Sequence, residues 1–154
     1  DAGVRLHEFV PEDMVAVPLG PALRGMIVAS PAYLARNETP QHPRDLLRHQ
    51  CIRFRFASGH LYKWQFERGD ETLEIDVQGR ITLSEQTTIV RAVLDGLGIA
   101  YVLEDAARPW LASGQLVSML EDWSPPFPGF VLYYPRQRQM TSALRAFVDL
   151  LRVA

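Results

Sequence analysis

The stretch Asp95–Val102, DGLGIAYV, decides the fold, because a Gly-x-Gly beside an apolar run has two opposite structural meanings. It either cradles a phosphate or turns one element into the next. The order of elements discriminates. A dinucleotide-binding loop follows a strand and opens a helix, so that the helix N-terminus faces the pyrophosphate. Here the preceding Ile89, Val93 and Leu97, joined by Val90 and Leu94, trace one face of an amphipathic helix. The following IAYVL, Ile99–Leu103, has the composition of a buried strand. The glycines therefore end a helix. Gly98 is expected to supply its left-handed terminal residue and Gly96 to allow close packing.

On the N-terminal side, Ser84 is the expected N-cap of that helix, and Glu85 suits the macrodipole in its first turn. Before it, Leu73, Ile75, Val77, Ile81 and Leu83 recur at period two, with Gly79 in the place of an apolar residue. Tyr62, Trp64 and Phe66 alternate with Lys63, Gln65 and Glu67, and RGDE (Arg68–Glu71) is a turn. This spacing predicts a β-hairpin whose long second strand bulges or kinks at Gly79. CIRFRF (Cys51–Phe56) alternates too, with Ile52, Phe54 and Phe56 on one face and Cys51, Arg53 and Arg55 on the other, a strand pattern. MIVA (Met26–Ala29) stops at Ser30-Pro31, a good N-cap before a proline suited to the first helical position. A strand should pass there directly into a helix over 31–36, and PRDLLRH is a further helical stretch.

On the C-terminal side a helix over about 105–112 contains Pro109 and ends at Gly114, and QLVSML is a strand. EDWSPPFPG holds too many prolines for regular structure and reads as a rigid crossover. FVLYY is a strand, and Thr141 caps a last helix whose Leu144, Phe147, Val148 and Leu151 share a face. Strand and helix alternate almost throughout, which predicts an α/β fold with a largely parallel sheet.

The 154 residues suffice for a core without staples, and 47% apolar with 22% charged residues is ordinary for a globular chain. A net charge of -2 supplies no basic field for DNA or an anionic membrane. Cys51 is the only cysteine, which excludes an internal disulfide and a thiolate zinc cluster and fits a reducing cytoplasm. No run is long and apolar enough to span a bilayer, and the N-terminus lacks a signal-peptide plan. DAGVRL begins without Met and reads like the end of a strand, as in a chain cut from a longer one.

In order along the chain stand DAGVRL, VASPAYLAR, P-x-x-P-x-DL-x-x-H-x-CI, Y-x-W-x-F, AVLDGLGIAYVLED, LEDW, PPFPG and LYYPRQRQMTSALRAFVDLLR. Together they closely resemble the C-terminal effector-binding module of LysR-type transcriptional regulators, from Asp1 to Arg152. The resemblance implies a periplasmic-binding-protein-like α/β module of two lobes, with a small molecule held between them. Residues 1–18 would end the first lobe and make the first crossover. Residues 19–122 would be the second lobe, and 123–154 the return crossover with the first lobe's closing strand and helix. The winged helix-turn-helix would lie in a missing N-terminal domain, the only part to touch DNA. The whole protein would be a cytoplasmic dimer or tetramer, away from membranes.

In open α/β sheets ligands lie beyond the carboxyl ends of the strands, where helix N-termini point. That rule selects Ser30 after MIVA, Arg55 with the loop Ser58–His60 after CIRFRF, Ser84, Glu85 and Gln86 after the hairpin strand, and Glu104 after IAYVL. The family is similar in using residues after these strands as its effector shell. Each has a structural alternative. Ser30 and Ser84 suit N-caps, Arg55 is either solvated or a carboxylate clamp, and Glu85 and Glu104 suit helix starts. Arg5 lies near the crossover, where it pairs with an acid or reaches the cleft. Trp64 with Tyr62 and Phe66 suits core or sheet covering better than the alternative, a stacking platform.

No catalytic, metal or cofactor chemistry is written in the chain. His49 and Cys51 alone do not close a zinc site, and no serine stands in a Gly-x-Ser-x-Gly elbow. Glu8, Glu12 and Asp13, like Glu121 and Asp122, suit a solvated surface. The rivals to an effector sensor are a transporter's solute-binding protein, which shares the architecture, and a small α/β enzyme.

Overall fold

The computed structural model describes residues 2–7, 10–136 and 141–153, and the chain crosses twice between two units. Unit 1 comprises Asp1–Leu23 and Pro126–Ala154, and unit 2 is the continuous segment Arg24–Pro125. Glu8 lies outside the described residues.

In unit 1, β1 (Gly3–Leu6), β2 (Met14–Pro18) and β10 (Phe130–Pro135) form an antiparallel sheet in the order β1-β10-β2. Helix α4 (Ser142–Val153) supplies the facing layer. Thr141 caps it through Oγ1, which accepts from Leu144 N at 3.2 Å. Val17, Leu132 and Val148 form the core, with Leu144 and Leu151 against it. The expected apolar face of α4 loses one member, because Phe147 is 48% exposed. It sits three residues from Leu144 and four from Leu151, on the flank of the stripe that Leu144, Val148 and Leu151 define at helical spacing.

Unit 2 is built on a sheet of β3 (Gly25–Ala29), β4 (Cys51–Phe54), β7 (Ile81–Leu83), β8 (Ile99–Leu103) and β9 (Val117–Met119), in the order β7-β4-β8-β3-β9. Strand β4 runs parallel to β7 and β8, while β3 runs antiparallel to both β8 and β9. With β3 reversed, two of the four ladders are parallel and two antiparallel, so the sheet is mixed rather than largely parallel as the sequence predicts. β3 is buried at every residue because both faces are covered, which explains its unbroken apolar run.

On one face Met26, Val28, Ile52, Ala100 and Val102 pack under α2 (Gln86–Leu94) and α3 (Glu104–Ala112). On the other, Ile27, Ala29, Cys51, Ile99 and Met119 pack with Trp64, Phe66, Ile75, Leu46 and Trp123. Each fully buried aliphatic side chain contributes roughly 1.5–3 kcal/mol over leaving it in water. α1 (Pro31–Leu34) starts as expected, with Ser30 Oγ accepting from Tyr33 N at 3.2 Å. PRDLLR is a 3-10 helix over Pro43–Arg48. Backbone N–H groups of Gln41 and His42 donate to Asp45 Oδ2 and hold that carboxyl below the usual range.

Three local expectations are corrected. The hairpin is β5 (Trp64–Arg68) with β6 (Glu71–Ile75), a separate pair, and its second strand does not continue to Leu83. The chain leaves it after Ile75 and re-enters the main sheet as β7, passing so close to β4 that only glycine fits at 79. The helix N-cap is Glu85, without a side-chain cap bond, and Ser84 precedes it. Finally, the two glycines of DGLGIAYV exchange roles. Gly96 (φ 76) is the left-handed residue, with Gly96 N donating to Val93 O at 2.9 Å and Leu97 N to Ala92 O at 3.1 Å. Gly98 makes the close approach, since a Cβ there would lie 2.5 Å from Gln50 O.

Cys51 is buried, with Sγ 3.6 Å from Leu46 O, and burial pushes its thiol up to about 12. Only the thiolate is nucleophilic. Native Cys51 is expected to react with iodoacetamide at about pH 8 roughly a hundredfold more slowly than in the unfolded chain. Mass spectrometry of timed samples measures the ratio, and equal rates would contradict this burial. The unfolded thiol ionises near 9.0, so the protonated group's contribution to stability is complete below that pH and lost between there and about 12.

Candidate functional site

Strand direction fixes where polar side chains gather. The carboxyl ends of β4, β7, β8 and β9 open on one edge of the main sheet, and reversal of β3 brings its amino end to that same edge. Such an edge is the ligand side of an open α/β sheet.

Arg55 follows β4 there. Its N donates to Leu83 O at 2.8 Å, it bridges Leu61, and its side chain is exposed. The turn beyond it is held by Gly59 (φ 89) and presents Ser58 and His60, whose Oγ and Nδ1 share a 3.2 Å hydrogen bond. Ser84 and Glu85 are exposed between β7 and α2. Gln86 is half-buried, and its Oε1 accepts from Leu103 N at 3.2 Å, tying the start of α2 to the end of β8. Glu104 opens α3, its N donating to Arg24 O at 2.9 Å. The structure thus brings Arg55, His60, Ser84, Glu85, Gln86 and Glu104 to one rim.

Ser30 is not among them. The ladder pairs Gly25 with Leu103 and Val28 with Ala100, so Ser30 stands at the amino end of β8, on the opposite edge. It is 3% exposed and serves as the N-cap of α1. The carboxyl-end rule selected it only because a reversed strand looks like any other in sequence. Arg5 belongs to unit 1, exposed on β1 with its guanidinium 5.3 Å from the Tyr133 ring centroid.

Two arginines of unit 2 were overlooked. Arg24, at the reversed amino end of β3, donates from Nε to Ser124 O at 2.7 Å and from Nη2 to Glu121 O at 2.9 Å. Nothing in the sequence signals it, because its place depends on strand direction. Arg53 is half-buried, and its Nε is buried without a hydrogen-bond partner among the described residues. Its signal was present: alternation puts it on the face of Cys51, which is a covered face.

Aromatic rings at and just before the start of β5 pack with Tyr101 of β8. The Tyr62 ring lies 5.4 Å from Tyr101 and 5.9 Å from Phe56, and Trp64 lies 6.1 Å from Tyr101. Trp64 and Phe66 are core, 0% and 2% exposed, while Tyr62 and Tyr101 are half-buried. Tyr101 lies across Gly25, where a Cβ would fall 1.9 Å from its hydroxyl oxygen.

The remaining polar groups are structural. Gln50 N donates to Tyr33 Oη at 3.3 Å, and Tyr33 Oη lies 2.9 Å from His49 Nδ1. Burial first, and then the Arg48 charge, hold His49 below its ordinary value. Asp122 pairs with Arg68 at 3.2 Å, and Arg68 also covers the Trp123 ring at 4.0 Å. Ser118 Oγ donates to Glu121 Oε1. Glu12 and Asp13 are exposed. Among the described residues, no three His, Cys, Asp or Glu side chains gather to hold a metal ion, and no helix is long and apolar enough to cross a membrane.

Comparison with known proteins matches residues 1–154 to the LysR substrate binding domain. A putative transcriptional regulator of Pseudomonas aeruginosa is 46% identical over 153 residues, covering 99% of this chain and 50% of that protein. The uncharacterized HTH-type transcriptional regulator YcaN of Escherichia coli is 46% identical over 149 residues, covering 97% of this chain and 48% of its own. Among solved structures, the regulatory domain of AphB in Vibrio vulnificus superposes with a TM-score of 0.76 at 25% identity, covering 100% of this chain and 75% of that one. The chain spans about half the length of the curated relatives it matches.

Proposed function

This chain belongs to the LysR substrate-binding domain family of bacterial transcriptional regulators, and from that premise we propose that the rim of unit 2 binds the effector of such a regulator. The observation that carries the reading is the convergence of Arg55, Ser84, Glu85, Gln86 and Glu104 on one sheet edge. An effector with unequal affinity for two conformations shifts their populations by that difference. In the longer protein the shift changes how the DNA-binding domains of a cytoplasmic homo-oligomer are presented, and those domains alone touch DNA. Of the receptors considered from sequence, the relatives favour the regulator over the transport protein. The family is one of ligand-binding regulatory domains rather than an enzyme class, and the chain is assigned no catalysis.

The test uses the intact regulator with an operator-linked reporter, screened for the small molecule that changes its output most. Ser84→Trp places a bulky side chain at an exposed rim position, and Gln86→Trp also removes the tie to Leu103 N. Both are expected to weaken the effector response by about tenfold or more while operator binding holds. Unchanged response in both would move the site away from this helix start.

A further inference from the structure

At the edge of the unit 2 sheet opposite the rim, the junction between α1 and the start of β4 carries a hydrogen-bonded Tyr–His pair. Tyr33 is 5% exposed, and its main chain is fixed by Ser30 Oγ, which accepts from its N at 3.2 Å, and by Asn37 Nδ2, which donates to its O at 2.9 Å. Its Oη accepts from Gln50 N at 3.3 Å and lies 2.9 Å from His49 Nδ1. A main-chain N–H can only donate, so Gln50 occupies a lone pair of Oη and the hydroxyl hydrogen is left to point at Nδ1. That arrangement requires a neutral His49 with its hydrogen on Nε2. A proton on Nδ1 would set two donors against one oxygen and leave the hydroxyl hydrogen with no acceptor among the described residues. Gln50 is where the pair bears on the sheet. Its O accepts from Ile99 N at 2.9 Å, and the next residue, Cys51, donates from N to Gln78 O at 3.0 Å.

We propose that Tyr33 and His49 form an acid-released latch: neutral His49 accepts the Tyr33 hydroxyl and fixes the turn at Gln50 to α1, and protonation of His49 frees that turn. The charges around the ring favour the neutral form only in part. Burial and then Arg48 oppose the imidazolium, while Asp45 and Glu38 favour it. Asp45 is already engaged, Oδ1 by Arg48 Nη2 at 2.9 Å and Oδ2 by the N–H groups of Gln41 and His42, so it does not offer His49 a replacement acceptor. Cys51 on β4 remains a neutral thiol, and Tyr33 on α1 a neutral phenol, across the range in which histidine titrates. Histidine in the unfolded chain titrates near about pH 6.5 and the folded group below it. The stability that the latch contributes is therefore complete above that pH and is lost as pH falls from there through the folded value. This goes beyond the effector reading and does not depend on it, since the latch makes acidity an input to unit 2 separate from whatever the rim binds.

The experiment is an NMR titration of the intact protein from about pH 8 to about pH 5, following the His49 ring nitrogens and amide hydrogen exchange, with each amide's intrinsic rate at that pH divided out. At the upper end His49 is expected as the Nε2–H tautomer. As it takes up a proton, protection of the Gln50 amide is expected to fall about tenfold, while that of Val28, paired on both sides within the sheet, holds. His49→Asn sets an amide oxygen where Nδ1 stands and does not titrate, so it is expected to keep Gln50 protected across the whole range. Tyr33→Phe removes the hydroxyl and is expected to leave Gln50 unprotected at either end and to bring His49 closer to its ordinary value. If Tyr33→Phe fails to fold, His49→Asn carries the comparison. Gln50 protection indifferent to His49 protonation, an Nδ1–H tautomer at the upper end, the same fall in His49→Asn, or full protection in Tyr33→Phe would each overturn the proposal.

Discussion

Trp64→Ala is expected to destabilise unit 2 by about 4 kcal/mol, in the range for truncating a buried tryptophan. Trp64 is 0% exposed and lies in the cluster that joins the β5–β6 hairpin to the main sheet. Alanine would leave a cavity between them, because the surrounding close-packed side chains of that cluster relax only in part. A loss of that size is a large share of the whole stability of a typical domain, about 5–15 kcal/mol. Urea titration of the two proteins measures it. Phe147→Ala, at a 48% exposed position, is the control and should cost far less. A Trp64 cost no greater than the Phe147 cost would mean that the hairpin does not pack on the sheet.

Gly79→Ala is the second large effect, expected at about 3 kcal/mol. The added Cβ would lie 1.8 Å from Cys51 O, 2.8 Å from its C and 3.0 Å from its N. All three are main-chain atoms, so no side-chain rotation relieves the clash. The approach of β7 to β4 must open, and the 3.0 Å bond from Cys51 N to Gln78 O lies at that point. Gly20→Ala, where a Cβ meets nothing within 4 Å, provides the comparison. The thermal midpoint of the Gly79 variant should fall by several degrees relative to it. Equal midpoints would refute the close approach.

What the sequence revealed and what it hid divide along a physical line. Periodicity is local, so the apolar stripe of α2, the alternation of CIRFRF and the Ser30-Pro31 start of α1 were all legible. Gly79 was visible as a break in the alternation. Its meaning was not, since it lies in contact with Cys51 on another strand. Likewise the reversal of β3 is a pairing property, and no residue of GMIVA encodes which way its neighbours run. The rim shows the same division. Ser84, Glu85, Gln86, Glu104 and Arg55 follow strands that run one way, so their positions could be read off. Ser30 was misplaced and Arg24 overlooked for a single reason, the hidden direction of β3. The exchange of roles between Gly96 and Gly98 arose because helix termination is local, whereas the contact with Gln50 O is not.

The boundary between the units has a genetic consequence. Arg24 Nε and Ser124 O are 2.7 Å apart, so the two ends of segment 24–125 lie side by side. On the other side of the boundary, Leu23 and Phe127 exchange hydrogen bonds of 2.9 and 2.8 Å, so the stumps left in unit 1 are neighbours too. Adjacent termini are the condition under which a domain can be excised or inserted without opening its host. The segment is thus laid out as a cassette. Two crossover points in the coding DNA would exchange segment 24–125 for that of a relative, and a short linker would reseal the remaining scaffold.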